Sequence, residues 1–280
     1  MGLAEPFGTQ EPTHQLVVRE RDAIDDADPA GGLAVENRVI NVSMRQATAI
    51  HLCIDDTLNA DRLAHLRETL PGVEDDRVLE NATPEYRAEL PADADIVTTA
   101  LSLPESDTAV WLDRLFGLAE LAVVTDDSWL YRSVPHETHI REINAEAVEA
   151  YLRTLHRELS DIPGTAIVPH GPLASWHTDG YRYELTWDAL RERRNEDQWR
   201  SISLERLRRV KSEPERSEIV FQWDLPTGGS RVVRGLRRAF GREADISPMR
   251  VSIATAEVAT VLDALEDLNG RLGYEYEIIE

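Results

Sequence analysis

The sequence is poor in several features that define common protein classes. Its 280 residues include a single cysteine, Cys53, so no disulfide can form within the chain. It has no run of about 18 apolar residues, which argues against a membrane-spanning helix. It also lacks the phosphate loop, the dinucleotide-binding glycine run, the serine elbow and the paired Cys-x-x-Cys motif. These absences disfavour the commonest nucleotide-dependent, hydrolytic and zinc-binding classes.

Lysine is almost absent, and acidic residues are abundant. Lys211 is the only lysine among 30 basic residues, and 52 acidic residues give a net charge of −22. This composition resembles that of cytoplasmic proteins of extreme halophiles, where dense carboxylates keep the surface hydrated at molar salt. With one cysteine and no signal peptide at its start, the sequence predicts a cytoplasmic protein and leaves a peripheral membrane association open.

The charge is distributed unevenly along the chain. Residues 1–180 hold 33 acidic and 13 basic residues, whereas residues 181–280 hold 19 acidic and 17 basic ones. Within residues 191–242 the balance is reversed, with 14 basic and 8 acidic residues. These basic residues either pair with acids of the protein itself or form a site for an acidic partner.

The predicted fold class is α+β, in two domains. Residues 1–36 are predicted to form an acidic flexible arm, and residues 37–165 a mixed α+β domain. Proline and glycine between residues 160 and 180 mark the boundary. Residues 181–280 are predicted to form a second domain, a small bent antiparallel sheet or barrel capped by a C-terminal helix.

Apolar periodicity predicts the elements of the first domain. Strands are expected at residues 39–44, 48–54 and 96–103, and a hairpin is expected over residues 121–133. Asn144 is predicted to cap a helix whose apolar stripe runs from Val148 to Leu159.

The second domain alternates apolar and polar residues in short segments. Tyr181, Tyr183 and Leu185 share one strand face, and the same alternation recurs near residues 219–223. Thr255 is predicted to cap the final helix. Four or five short antiparallel strands are expected before that helix.

This segment resembles a pleckstrin-homology-like domain of the prokaryotic or GRAM type. The resemblance covers residues 181–272 and is carried by residues 202–210, 218–223 and 249–253 with the helix at 256–269. It implies a bent sheet closed by a C-terminal helix, and binding of acidic lipid headgroups, peptides or proteins rather than catalysis. The family has seven strands, more than the pattern indicates here, and the insert at 224–248 is a departure.

The resulting hypothesis is a non-catalytic binding or regulatory protein with an arginine-rich surface for an acidic protein or an anionic membrane. In the insert, Val232, Val233, Leu236 and Phe240 would share one helix side, flanked by arginines that could grip phosphate groups. No cofactor and no catalytic residue is predicted, and the oligomeric state is left open. The predicted anion-binding residues are Arg206, Arg208, Arg209, Lys211, Arg231, Arg234, Arg237 and Arg238.

Alternative functions remain at this point. A metal-dependent hydrolase could use His136, His139, His170 and His177 as ligands. Nucleic-acid binding could use the same arginines with Trp199, Trp223 and Tyr183.

Two weaker catalytic interpretations rest on short motifs of the first domain. His51 and Cys53 could form a nucleophilic dyad. Asp55 and Asp56 follow an apolar strand as in phosphatases of the haloacid dehalogenase type, although that motif requires Asp-x-Asp spacing.

Overall fold

The computed structural model describes residues 3–4, 7–19, 29–55, 61–102, 108–137, 140–178, 180–194, 198–224 and 246–279. The chain divides into two compact units, residues 1–170 (unit 1) and residues 171–280 (unit 2). None of the helices among these residues combines the length and the apolar character needed to cross a bilayer.

Unit 1 is built on one antiparallel sheet of eight strands. They are β1 (His14–Val18), β2 (Ala49–Ile54), β3 (Gly72–Val73), β4 (Glu85–Glu89), β5 (Leu118–Val124), β6 (Trp129–Ser133), β7 (Arg141–Ile143) and β8 (Thr165–Pro169). The order across the sheet is β3-β4-β2-β5-β6-β7-β1-β8. The hairpin predicted over residues 121–133 is confirmed as the β5–β6 pair.

Five helices among the described residues of unit 1 accompany this sheet. They are α1 (Pro29–Met44), α2 (Asp61–Thr69), α3 (Ala94–Leu101), α4 (Thr108–Gly117) and α5 (Tyr151–Leu159). The longest, α1, buries Leu33, Glu36, Val39, Ile40 and Ser43, a helical spacing that contains two polar residues.

The two faces of the sheet have different cores. One face of the sheet, which we call the helical face, carries the main core. Ile50, Leu52 and Tyr131 belong to this core, together with apolar residues of α1, α2, α3 and α5. On the opposite face, which we call the loop face, Cys53 and Ala122 belong to a smaller core. That core is completed by Leu3, Phe7, Val78 and Leu79, which lie outside the strands.

The described residues of unit 2 form two four-stranded sheets and one long helix. The first sheet joins β9 (Ala174–Thr178), β10 (Tyr181–Leu185), β11 (Ala189–Arg194) and β12 (Arg200–Ser203) as an antiparallel meander. In the second, β14 (Glu218–Asp224) pairs antiparallel with β13 (Leu207–Glu213) on one side and β15 (Ile246–Ser252) on the other. After the helix α6 (Thr255–Leu272), β16 (Glu277–Ile279) pairs parallel with β13.

The helix α6 caps unit 2 with one apolar stripe. Val261, Leu265, Leu268 and Leu272 are buried at spacings of three and four residues. Gly273 ends the helix with φ +65°, in the left-handed region that glycine adopts without strain. The predicted α+β class is therefore confirmed, as is the small C-terminal sheet capped by a C-terminal helix.

Two strand predictions in unit 1 are wrong. Residues 39–44 form the end of α1, and residues 96–103 fall largely in α3. In both places branched apolar residues suggested a strand, but their burial follows a helix that packs on the sheet. Tertiary packing outweighs the weak local preference of such residues.

The acidic flexible arm predicted at residues 1–36 is not observed in the part of that range that the structure describes. Residues 14–18 form β1, which pairs with β7 on one side and β8 on the other, and α1 begins at residue 29. A strand with neighbours on both sides has its backbone hydrogen bonds satisfied by the sheet.

Both predicted helix caps are wrong. The helix α5 follows Ala150, which has φ +64°, while the Asn144 amide donates to Ser128 Oγ at 3.1 Å. Thr255 is the first residue of α6, and Ala254 precedes it without a side-chain cap. Both helices exist, but neither begins with the side-chain cap that was predicted.

Candidate anion-binding surfaces

Two of the predicted anion-binding arginines are held by the end of β14. Arg208 Nη2 lies 2.5 Å from Asp224 Oδ2, and Arg206 Nε donates to the Asp224 backbone oxygen at 3.1 Å. The hydrogen bond that Arg208 donates to Asp224 raises the pKa of Arg208, which stays charged and paired with that carboxylate. These arginines therefore brace two neighbouring strands.

The other two described residues of the predicted site are also paired within unit 2. Arg209 Nε donates to Glu277 Oε2 at 2.7 Å, and Lys211 Nζ donates to Glu213 Oε1 at 3.2 Å. Both side chains of the Arg209–Glu277 pair are exposed, and Lys211 is 48% exposed, so solvent weakens both pairs. An external acid would have to displace a carboxylate that is already present.

The remaining predicted residues lie outside the described part of the chain. These are Arg231, Arg234, Arg237 and Arg238, together with the apolar residues of the same insert.

The first sheet of unit 2 carries a different basic surface. Arg182 on β10 and Arg193 on β11 are direct cross-strand partners. The Trp199 ring contacts both, with its centroid 4.8 Å from Arg193 Cζ and 5.8 Å from Arg182 Cζ. Two like charges opposite each other repel, and the electron-rich ring face offsets part of that repulsion while fixing both side chains.

Only one of these two arginines has a carboxylate partner among the described residues. Arg182 Nη2 lies 2.8 Å from Glu184 Oε1. No carboxylate in the described ranges lies within ion-pair distance of Arg193, and its Nε is buried without a hydrogen-bond partner. We call Arg182, Arg193 and Trp199 the stacked-arginine surface, in which Arg193 holds the unneutralised charge.

Two flanking residues extend this surface along the sheet. His177 on β9 is the other cross-strand partner of Arg182 and is exposed. Arg191 is the cross-strand partner of Glu184. His177, Arg182 and Arg193 therefore form a row across three strands.

Sequence reasoning missed this surface as a site, although residues 191–242 included Arg193. The sequence signal that could have indicated this surface is the alternation of aromatic and charged residues along β10. It places Arg182 on the face opposite Tyr181 and Tyr183. Its pairing with Arg193 depends on the register of two strands, which the pattern alone does not determine.

The histidines proposed as metal ligands are not assembled in the described residues. His136 lies in the loop after β6, and its Nε2 is 4.0 Å from Glu137 Oε1. His139 lies outside the described ranges. His170 ends unit 1, whereas His177 lies in unit 2. Within those ranges, no three His, Cys, Asp or Glu side chains are placed to hold a metal ion.

The aromatic residues proposed for nucleic-acid stacking are mostly buried. Trp223 is 4% exposed and stacks on Phe221, and Tyr183 is 7% exposed and stacks on Trp176. Both belong to the core of unit 2. Trp199 alone remains at the surface, and its ring already contacts two arginines.

The His51–Cys53 dyad is replaced by a buried structural network on the loop face. His51 Nδ1 bonds Glu85 Oε1 at 2.7 Å, while Arg77 Nη2 lies 3.8 Å from Cys53 Sγ. Burial, reinforced by Glu85 and Glu120, raises the pKa of Cys53 to about 12. A thiol with that pKa stays protonated at neutral pH and is a poor nucleophile.

The aspartate motif of phosphatases receives no support from the described residues. The Asp55 backbone oxygen accepts a hydrogen bond from Arg67 at 3.2 Å, and Asp56 lies outside the described ranges.

Comparison with known proteins finds no family model that matches the chain and no curated protein significantly similar to it.

Proposed function

We propose that the chain is a non-catalytic binding protein whose unit 2 engages an acidic protein through the stacked-arginine surface. The observation that carries the proposal is Arg193, a half-buried guanidinium fixed against Trp199 with no carboxylate partner among the described residues. A guanidinium in a fixed orientation offers paired N–H donors to a carboxylate and loses little entropy on binding.

The strand order of unit 2 supports the pleckstrin-homology-like resemblance. Four antiparallel strands are followed by three more and then by the long helix α6. The strand β16 is an addition to that order. The resemblance in turn implies recognition of acidic lipid headgroups, peptides or proteins.

The surface favours a protein over a membrane. Insertion into a bilayer interface uses exposed apolar side chains, and none of the large ones is exposed among the described residues of unit 2. The two that are exposed in the described residues, Leu112 and Phe116, lie in unit 1. Arginine with tryptophan is instead the composition of protein-interface hot spots. The single cysteine and the acidic, lysine-poor composition support a cytoplasmic setting.

Binding of the full chain to poly-L-glutamate tests the proposal. We expect the double variant Arg182→Gln with Arg193→Gln to lose at least about tenfold in affinity, since two charge-assisted contacts are removed. Arg216→Gln with Arg250→Gln is the matched control, because it also removes two positive charges, from exposed side chains of unit 2 away from the stack. Its affinity should stay within about twofold of the wild type.

Two outcomes would redirect or end this proposal. Equal affinity of the double variant and the wild type would exclude the stacked-arginine surface. Binding to phosphatidylglycerol vesicles without binding to poly-L-glutamate, abolished when Arg231, Arg234, Arg237 and Arg238 are all changed to Gln, would assign the function to the insert and to a membrane.

A further inference from the structure

A cluster of charged residues is buried on the helical face of unit 1, away from the proposed binding surface. Its members come from α1, α4, β6 and β7, and none is more than 4% exposed. They are Glu36, Arg114, Tyr131, Ser133 and Arg141. We call this the Arg114–Arg141 cluster.

One arginine of the cluster has a carboxylate partner. Arg114 Nη2 lies 3.4 Å from Glu36 Oε2, and the Tyr131 hydroxyl donates to Glu36 Oε1 at 3.2 Å. Arg114 Nη1 also donates to the Leu101 backbone oxygen at 3.1 Å. The single carboxylate is therefore paired with Arg114 and Tyr131, although Glu36 Oε2 and Arg114 Nη2 make no hydrogen bond of ordinary geometry.

The second arginine has no such partner. Across the described residues, no carboxylate lies within ion-pair distance of Arg141, and its Nε is buried without a hydrogen bond. Ser133 is its direct cross-strand partner, and the Ser133 hydroxyl also makes no hydrogen bond of ordinary geometry. Burying an unpaired charge is costly, so this arrangement calls for an anion.

The helix α1 adds further positive potential at the same place. A Cβ at Gly32 would stand 3.4 Å from Arg141 Nη2, so the guanidinium lies against the first turn of α1. The N-terminal turn of a helix carries free N–H groups and a partial positive charge, which disfavours a cation and favours an anion. Two buried guanidiniums and one helix N-terminus are thus accompanied by a single buried carboxylate, Glu36, which contacts only Arg114 of the two arginines.

We propose that the Arg114–Arg141 cluster binds a small oxyanion of the size of inorganic phosphate, held by Arg141 with the first turn of α1. Arginine donates paired hydrogen bonds that match two oxygens of such an ion. The near-complete burial of the cluster limits the ligand to a small ion, and the negative charge completes the neutralisation that Glu36 begins.

Equilibrium dialysis of the full chain against radiolabelled inorganic phosphate tests the site, with ionic strength held constant by potassium chloride. We expect one phosphate bound per chain. We also expect the Tm to rise by about 5 °C when phosphate exceeds its Kd a hundredfold, because the ion binds only the folded state.

The variant Arg141→Met removes the charge and retains an unbranched side chain. It should lose phosphate binding at least about tenfold and lose the phosphate-dependent rise in Tm. In chloride buffer without phosphate its Tm should equal or exceed that of the wild type, because an unpaired buried charge is gone. Arg153→Met, an exposed position on α5, is the matched control and should bind phosphate like the wild type.

The proposal would be overturned by any of three results. The first is no stoichiometric phosphate on the wild-type chain. The second is an equal phosphate-dependent rise in Tm for Arg141→Met. The third is a marked loss of stability of Arg141→Met in chloride buffer with no effect of phosphate on either chain, which would show that Arg141 is already neutralised within the fold.

Discussion

Arg132 and Arg141 lie on neighbouring strands, offset by one residue in register, and are 6% and 4% exposed. On the loop face, Arg132 Nε bonds Glu120 at 2.8 Å and its Nη1 bonds Glu142 at 2.7 Å. On the helical face, Arg141 has no carboxylate partner among the described residues. Two arginines of similar burial therefore have different roles. Arg132 stabilises the sheet through ion pairs, whereas Arg141 is the proposed ligand-binding residue.

The largest effect is expected from breaking the braced arginine. Arg132→Met should lower the free energy of unfolding by about 3–5 kcal/mol, because it leaves the fully buried Glu120 without its counter-charge. Denaturant unfolding measures the loss. The double variant Arg132→Met with Glu120→Gln should recover much of the lost stability. Equal stability of Arg132→Met and Arg141→Met would contradict the contrast between the two arginines.

A smaller effect, with a defined pH dependence, is expected at Glu85 on the loop face. Burial raises the pKa of this carboxyl, but hydrogen bonds from His51 and from the Val78 and Leu79 N–H groups outweigh burial and hold the pKa below its usual value. A lowered folded-state pKa stabilises the fold above the unfolded pKa, and that stability is lost as the pH falls.

We therefore expect the unfolding free energy of the wild type to decrease on acidification through the usual carboxyl range near pH 4.5 and below. Glu85→Gln should be less stable by about 2 kcal/mol at pH 7 and should lose less stability on acidification. Parallel pH profiles for the two chains would contradict this account of the loop face.

The smallest effect is expected at the exposed ion pair of unit 2. Asp224→Asn should change the free energy of unfolding by no more than about 1 kcal/mol, because Arg208 is 48% exposed and its side-chain pairing is weakened by solvent. Denaturant unfolding of both chains at low and high salt measures this change in the free energy of unfolding. A loss comparable to that of Arg132→Met would mean that exposed pairs stabilise this chain as strongly as buried ones.

The fold class and the C-terminal helix could be predicted because they depend on local periodicity. The spacing of Val261, Leu265 and Leu268 identifies α6, and the segments around residues 121–133 identify the β5–β6 hairpin. Each signal lies within one or two adjacent elements, so no long-range pairing had to be known.

The helix α1 escaped prediction because polar residues interrupt its buried stripe. Glu36 and Ser43 occupy positions that face the sheet, which left residues 39–44 as a short apolar run resembling a strand. Ser43 Oγ bonds the Tyr151 hydroxyl and Glu36 Oε1 accepts from the Tyr131 hydroxyl, so the partners of these polar groups lie about 100 positions away. Sequence spacing contains no such information.

The strand count of unit 2 was underestimated for a related reason. The strand β11 contains four charged residues among its six and lacks clean alternation, and β9 falls inside the segment assigned to the boundary. Arg193 lies on β11, and this is why the stacked-arginine surface was not predicted as a site.

The most direct measurement of the contrast between the two arginines is a crystal structure of the full chain grown with selenate, with anomalous data collected at the selenium edge. We predict one anomalous peak on the helical face of unit 1, within hydrogen-bond distance of the Arg141 guanidinium. No peak there, with Arg141 bonded to a carboxylate of the chain itself, would contradict the account.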